Sequence, residues 1–160
     1  MTDQADLARI AATVEAAHGQ LHLLVNNAGI ARGVLPPPAA RVPAGGDARA
    51  WAAQLAGGGP AAFADTFATN VSAPWFAALA FLPLLVAAGG QVVTISSVHG
   101  RRHDAALTSV PYALSKAAAE HAGRILAAML ADWHVRSNIV VPGLFPSGMR
   151  ADGCEGSSSR

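Results

Sequence analysis

Tyr112 and Lys116 are the only tyrosine and the only lysine in this chain of 160 residues. They are four residues apart in a segment whose apolar spacing predicts a helix, so we expect both side chains on one face. A phenol can donate a proton, and an ammonium one helical turn away stabilises the phenolate that remains. The pair could therefore carry general acid chemistry. The alternative is an ordinary contact between an aromatic ring and a cation, and the spacing alone favours this alternative.

Histidines near this pair do not predict a metal site. His99, His103 and Asp104 are close in sequence and are metal-ligand residue types. The Gly-Arg-Arg between the two histidines is not a helical pattern, and it would place two cations beside the metal. We therefore expect no metal at this position.

Helical and extended patterns alternate along the chain, and these elements must position the pair. Helices are predicted at residues 6–18, 47–55, 60–88 and 110–134, and strands at residues 21–25, 91–96 and 136–141. Strands that alternate with long helices predict parallel βαβ units, hence an α/β fold with an open parallel sheet. The first strand is almost wholly apolar, so we expect it to be buried on both faces.

Turn and hydroxyl residues follow each predicted strand. Asn26 to Gly29, Ser96-Ser97 and Pro142-Gly143 stand at the three carboxyl ends. Ligands of open α/β sheets bind beyond the carboxyl ends of the strands. We therefore expect a ligand to cross this edge of the sheet.

Five short motifs occur in order over residues 5–149. They are Asn26-Asn27-Ala28-Gly29, Thr69-Asn70-Val71, Ile95-Ser96-Ser97, Tyr112-x-x-x-Lys116 with Ser115 inside it, and Pro142-Gly143. Each motif is weak alone, but the ordered set resembles the short-chain dehydrogenase/reductase family. The run from Pro142 to Ser147 is further similar to 3-oxoacyl-carrier-protein reductases. The resemblance implies a partial Rossmann-like domain at residues 1–149, a doubly wound parallel sheet with three strands and flanking helices, and a frayed tail at residues 150–160.

The same resemblance implies an NAD(P)-dependent oxidoreductase that interconverts a carbonyl and a secondary alcohol. Its catalytic set would be Asn70, Ser97, Tyr112 and Lys116. Tyr112 would donate the proton to the developing alkoxide, while Lys116 stabilises the phenolate and binds the nicotinamide ribose. Ser97 would hold the substrate oxygen, and Asn70 would position a water that resupplies the proton.

Ser96 is the alternative to Ser97 in this set. Ser97 is preferred because it begins the family pattern Ser-x-x-Gly, which ends here at Gly100. The separation from Ser97 to Tyr112 is slightly longer than the family pattern.

The cofactor-binding residues implied by the resemblance lie on both sides of this set. Asn27, Ala28 and Gly29 would pass beside the adenosine half of the cofactor, where small residues permit close backbone approach. Pro142, Gly143 and Phe145 would face the nicotinamide, and Ser147 stands where the family often has threonine. Tyr112 and Lys116 complete the implied set. No residue selects between NAD and NADP.

The glycine-rich fingerprint of the family, Thr-Gly-x-x-x-Gly-x-Gly after a strand, is absent from the chain. The family's last strand and substrate lid are absent too. The resemblance therefore implies a chain truncated at both ends, in which the edge of the strand at 21–25 lies open.

Composition excludes several other functions. The net charge is +1, which predicts neither a nucleic acid nor an anionic membrane as a partner. The apolar run at 73–88 has 16 residues and contains Pro74 and Pro83, so it favours a buried helix over a membrane span. A single cysteine, Cys154, and the lack of a secretory signal favour a cytoplasmic location.

Two functions remain compatible with the sequence. The first is a reductase that acts on a small-molecule carbonyl or alcohol. The second is a non-catalytic remnant that associates with full-length relatives through the helices at 60–88 and 110–134. In the family that the sequence resembles, these helices commonly form homo-oligomer interfaces.

Overall fold

The computed structural model describes residues 3–104 and 107–144. This part of the chain has three strands, Leu23–Asn26 (β1), Gln91–Ile95 (β2) and Arg136–Val140 (β3). Its α-helices are Gln4–His18 (α1), Ala48–Leu55 (α2), Gly59–Phe67 (α3), Ala73–Ala80 (α4), Leu82–Ala88 (α5) and Val110–Met129 (α6). A π-helical segment, Ala68–Ser72, joins α3 to α4, and 3-10 turns occur at Pro38–Ala40, Val98–Arg101 and Ala131–Trp133. Phe145, Ser147 and the predicted tail at 150–160 lie outside the described residues.

Capping residues set where the first and last α-helices begin. Asp3 accepts a hydrogen bond from the Ala5 backbone N–H at 2.8 Å, and Gly19 ends α1 in the left-handed conformation at φ 68°. Ser109 accepts from the Tyr112 backbone N–H at 3.2 Å at the start of α6, with Pro111 in the first turn. These contacts satisfy backbone donors that would otherwise lack a partner at the helix start.

The sheet is parallel throughout, with the order β1-β2-β3. Val25 is level with Val93, and Val93 is level with Asn138. This register brings the carboxyl ends of all three strands to one edge. The predicted α/β fold, with a three-stranded parallel sheet and flanking helices, is confirmed.

The sheet is covered on one face. Val92 and Thr94 are buried on β2, and Leu24 packs against the same apolar core. Leu23 and Val25 point to the opposite face and are 46% and 49% exposed. The prediction that the first strand is buried on both faces is therefore wrong. In the described residues, the helices pack only against the face of β1 that carries Leu24. In this part of the chain β1 is also an edge strand.

The core joins the covered face of the sheet to α1, α4, α5 and α6. Leu85, Val92 and Val135 are its largest fully buried side chains. Buried alanines such as Ala78 and Ala119 let the helices approach closely. Burial of this apolar surface stabilises the fold by roughly 25 cal/mol for each Å² removed from water.

The single helix predicted at residues 60–88 is wrong. The structure divides this stretch into α3, the π-helical segment, α4 and α5. Pro83 explains the last break, because proline has no N–H for the Leu79 carbonyl and its ring collides with that carbonyl. Phe81 accordingly has the non-helical conformation φ −92°, ψ 0°.

The helix predicted at residues 110–134 is too long. The α-helix ends at Met129, and Ala131–Trp133 continues as a 3-10 turn. His134 then adopts φ 56°, the left-handed conformation, which ends the helical path. Val135 follows directly and is buried, so the chain must turn here to enter β3.

Within residues 3–104 and 107–144, no single helix is long and apolar enough to cross a membrane. The stretches Ala48–Ala80 and Leu82–Ala88 have the length and apolar composition of a membrane span only when they are taken together. They are bent by 57° where they meet.

Candidate active site

Tyr112 and Lys116 lie on one face of α6, as their spacing predicts. Lys116 Nζ lies 5.6 Å from the centroid of the Tyr112 ring. The same ammonium donates a hydrogen bond of 2.7 Å to the Ile95 carbonyl, the last residue of β2. The Lys116 side chain is 4% exposed, so it is fixed between the helix and the carboxyl edge of the sheet.

Burial lowers the pKa of Lys116 below its ordinary value of 10.5. The physical cause is desolvation, which penalises the charged ammonium relative to the neutral amine. The hydrogen bond to Ile95 opposes this cost only in part. The fold therefore makes the charged form of Lys116 less favourable than it is in water.

This perturbation predicts how stability changes with pH. The unfolded chain binds the Lys116 proton more tightly than the folded chain, so the free energy of unfolding rises with pH between the lowered pKa and 10.5. We expect Lys116→Met to remove this rise. Urea unfolding of both proteins between neutral pH and pH 11 measures it. Parallel pH profiles for the wild type and Lys116→Met would contradict the prediction.

The two candidate serines at the end of β2 have different surroundings. Ser96 Oγ lies 3.0 Å from the Lys116 carbonyl and 3.2 Å from Glu120 Oε1, so its proton is donated within the packed face of α6. Ser97 Oγ instead accepts a hydrogen bond from the His99 backbone N–H at 3.2 Å. The Ser97 oxygen is the acceptor in that bond, so the bond does not use the Ser97 hydroxyl proton. This contrast favours Ser97 over Ser96 as the residue that meets a substrate oxygen.

Gly100 explains why the Ser-x-x-Gly pattern suits this position. A Cβ placed on Gly100 would lie 2.8 Å from the Lys116 carbonyl carbon and 2.8 Å from the Ala117 nitrogen. A side chain there would collide with the backbone of α6. The glycine thus allows the 3-10 turn that begins at Val98 to rest directly on the helix that carries Lys116.

A buried carboxylate also joins this turn to α6. It is not among the site residues that the sequence predicted. Glu120 is 4% exposed, and both of its oxygens lie within 3.3 Å of Arg101 Nε. Arg124 Nη2 lies 3.3 Å from one of the same oxygens. Glu120 is four residues after Lys116 and shares its helix face, a spacing that could have indicated it. The cluster fixes the loop that carries Ser97.

Asn70 lies at the centre of the π-helical segment and is 2% exposed. Its Nδ2 donates 2.9 Å hydrogen bonds to the Ile30 carbonyl and to Ser115 Oγ. Its Oδ1 accepts from the Ile30 N–H at 2.9 Å. Both amide hydrogens are therefore used within the protein. The predicted role of Asn70 in holding a water stays a prediction, and only acceptor sites remain for it.

The Asn27 to Gly29 segment passes beside the same groups. A Cβ placed on Gly29 would lie 3.4 Å from Lys116 Nζ and 3.4 Å from Asn70 Oδ1. The backbone of Gly29 therefore lies directly against two predicted catalytic residues. Asn27 and Ala28 are exposed, so this part of the segment is open to a ligand.

Only two of the residues predicted to face the nicotinamide, Pro142 and Gly143, lie within the described residues. The Pro142 carbonyl accepts a hydrogen bond of 3.0 Å from the Val98 N–H, which brings it beside the Ser97 turn. Gly143 is exposed. The predictions for Phe145 and Ser147 lie outside the described residues.

His99 is the second residue of the site that was missed in the sequence. It is buried, and its Nδ1 lies 3.4 Å from Ser97 Oγ. Its ring meets the edge of the Tyr112 ring, with centroids 5.9 Å apart and planes at 69°. A lone histidine in a loop has no periodic signal, so only its position two residues after Ser97 could have indicated it. In the described residues, no group of three or more histidine, cysteine or acidic side chains could hold a metal ion.

The site thus joins a phenol, a buried ammonium and a serine hydroxyl at the carboxyl edge of a parallel sheet. The family model for short chain dehydrogenases matches residues 1–156. The chain belongs to the short-chain dehydrogenase/reductase family, whose members are oxidoreductases.

Curated relatives carry the same family name. The chain is 35% identical over 154 residues to short-chain dehydrogenase/reductase PhomF of Diaporthe leptostromiformis, covering 91% of this chain and 51% of that protein. It is 32% identical over 145 residues to a Streptomyces violaceoruber protein described as candidate ketoacyl reductase 2 of the granaticin polyketide synthase, covering 90% and 51%. The chain spans about half the length of the curated relatives it matches.

Solved structures agree with this assignment. A Brucella ovis oxidoreductase of the family, in complex with a partially ordered NAD, is 29% identical with a TM-score of 0.68, covering 88% of this chain and 59% of that one. A metagenomic short-chain oxidoreductase in complex with NADP is also 29% identical, with a TM-score of 0.67, covering 88% and 55%. The Rossmann-like character of the sheet is thereby confirmed.

Proposed function

We propose that this chain carries the catalytic part of an NAD(P)-dependent oxidoreductase that interconverts a carbonyl and a secondary alcohol. The observation that carries the proposal is the buried Lys116 ammonium, held 5.6 Å from the centroid of the Tyr112 ring at the carboxyl edge of the sheet. This arrangement supplies a proton donor together with the charge that stabilises its conjugate base.

Each residue of the proposed set has a distinct task. Tyr112 transfers its hydroxyl proton to the oxygen of the reacting carbonyl as negative charge develops there. Lys116 stabilises the phenolate that results, because an ammonium with few water neighbours acts more strongly on a nearby anion. Ser97 holds the same substrate oxygen by a hydrogen bond. In the alcohol-to-carbonyl direction the proton returns to Tyr112.

The described residues fit the nicotinamide end of a dinucleotide. Pro142 and Gly143 follow β3, and the Pro142 carbonyl accepts from the Val98 N–H beside the Ser97 turn. Asn27, Ala28 and Gly29 would lie along the adenosine half, where Gly29 lets the backbone approach Lys116 Nζ closely, and Phe145 and Ser147 remain proposed contacts as well. The described residues include no glycine-rich turn between a strand and a helix, the usual pyrophosphate cradle. When bound, the cofactor supplies or accepts the hydride.

A keto group within an acyl chain is the proposed substrate class. The likeness of the Pro142 to Ser147 run to 3-oxoacyl-carrier-protein reductases supports it. The relative from Streptomyces violaceoruber, described as a candidate ketoacyl reductase, supports it too. A β-keto ester is therefore the first substrate to assay.

Titration of the purified chain with NADPH and with NADH, followed by nicotinamide fluorescence, tests the proposal. We expect saturable binding in the micromolar range. Lys116→Met should weaken it at least tenfold, because that change deletes the cation proposed to hold the ribose hydroxyls. Arg9→Gln, at an exposed position on α1, is the matched control that removes a cation elsewhere. Absence of binding up to millimolar cofactor would contradict the proposal.

A second candidate function is association with other chains through the helices. Several large apolar side chains on them are exposed, including Phe76 and Leu79 on α4 and Leu114, Ile125 and Met129 on α6. Each of the two helices therefore offers apolar side chains of the kind that protein interfaces bury. Light scattering at several concentrations tests this function. A monomer at every concentration would contradict it.

A further inference from the structure

Ser97 Oγ has two neighbours on His99, and together they decide what the Ser97 proton can do. The hydroxyl has one proton and two acceptor lone pairs. The His99 backbone N–H occupies one lone pair at 3.2 Å. The His99 ring nitrogen Nδ1 lies 3.4 Å from the same oxygen. The state of Nδ1 therefore determines the remaining hydrogen-bonding capacity of Ser97.

Two arrangements are chemically distinct. If Nδ1 carries a hydrogen, it donates to the second lone pair, and the Ser97 proton remains available to a substrate oxygen. If Nδ1 carries no hydrogen, it accepts the Ser97 proton, and Ser97 can no longer donate to the substrate. Which nitrogen of a histidine is protonated is set by its hydrogen-bond partners.

The His99 ring is held in place on two sides. It is buried, and it packs edge-on against the Tyr112 ring. The next residue, Gly100, rests on the α6 backbone at Lys116, so the turn cannot move outward without losing that contact. His99 thus connects Ser97 on the turn to Tyr112 on the helix.

We propose that His99 is a positioning residue that keeps a hydrogen on Nδ1, fills the acceptor sites of Ser97 and directs the Ser97 proton toward the substrate oxygen. The effect on kcat that this proposal predicts rests on the proposed reductase function. The protonation state of His99 does not depend on that function and can be measured without turnover. His99 itself transfers no proton in the reaction.

Long-range ¹H–¹⁵N correlation spectra of the full chain test the structural part without turnover. The chain has six histidines. The set of imidazole signals that is present in the wild type and missing in His99→Asn belongs to His99. We expect a protonated Nδ1, and we expect Ser97→Ala to shift the Nδ1 resonance more than those of the other histidines. A ring protonated only at Nε2, or one that does not respond to Ser97→Ala, would overturn the proposal.

Two amide substitutions test the kinetic part. The amide nitrogen that His99→Asn introduces can occupy the place of Nδ1, whereas His99→Gln puts its amide near the place of Nε2. We expect His99→Asn to keep kcat for β-keto ester reduction within about threefold of the wild type, while His99→Gln lowers it about tenfold. KM for the cofactor should stay unchanged in both variants.

Equal losses of kcat in the two variants would assign His99 a packing role and overturn the proposal. Thermal unfolding of both variants checks that they fold. A wild-type chain without turnover would instead contradict the proposed reductase function, while the imidazole spectra would still decide the state of His99.

Discussion

Replacing Tyr112 with phenylalanine is expected to abolish carbonyl reduction while leaving the fold unchanged. The substitution deletes one hydroxyl, the proposed proton donor. Positioned proton transfer contributes about 10² to 10⁴ in rate, so we expect kcat to fall by roughly a thousandfold. Steady-state rates with a β-keto ester and saturating cofactor measure the effect.

The fold is expected to tolerate this change because the ring contacts remain. The Tyr112 hydroxyl makes no hydrogen bond to the described residues, whereas the ring keeps its contacts with His99 and Lys116. The free energy of unfolding should stay within about 0.5 kcal/mol of the wild type. Leu114→Ala, at an exposed position on the same helix, is the control for substitution in α6. Undiminished turnover in Tyr112→Phe would remove the basis of the proposed mechanism.

Replacing Asn70 with alanine is expected to cost about 3 kcal/mol of stability. The side chain is almost fully buried and makes three hydrogen bonds, two of them to the backbone N–H and carbonyl of Ile30. Alanine leaves both backbone groups without these partners in a buried region, which costs about 1–3 kcal/mol for each unsatisfied group. Urea unfolding measures the loss.

Ser72→Ala is the matched control for Asn70. It changes an exposed polar residue of the same π-helical segment and should alter stability by less than about 0.5 kcal/mol. A loss below about 1 kcal/mol in Asn70→Ala would mean that water replaces the amide at little cost. The tie between Ile30 and the π-helical segment would then be dispensable.

The sheet could be predicted from the sequence because its strands are short, β-branched and bounded by turn residues. Val92 and Val93 illustrate why the burial of each face could not be. Both are valines in one apolar run, yet only Val92 faces the helices. Which side of a strand is covered depends on where the helices pass, and no residue of the strand itself encodes that. Pro83 could have indicated the break at Phe81, because a proline inside a helical pattern breaks or kinks the helix.

The candidate site was predictable where its spacing is periodic. Tyr112 and Lys116 share a face because four residues make about one helical turn. Glu120 and Arg101 are 19 residues apart, and they meet only because Gly100 lets the turn rest on α6. Contacts of this kind arise from tertiary packing, so residue types alone could not indicate them.

The π-helical segment has a consequence for the rotational phase of the chain. Each residue of an α-helix advances the chain by about 100° around the axis, whereas the wider turn from Ala68 to Ala73 advances it by less per residue. One residue fewer here would turn Ala77 and Ala78 of α4 by about 100° away from the core, or would turn Asn70 away from Ile30. The number of residues in this segment is thus as much a determinant of the site as the identity of Asn70.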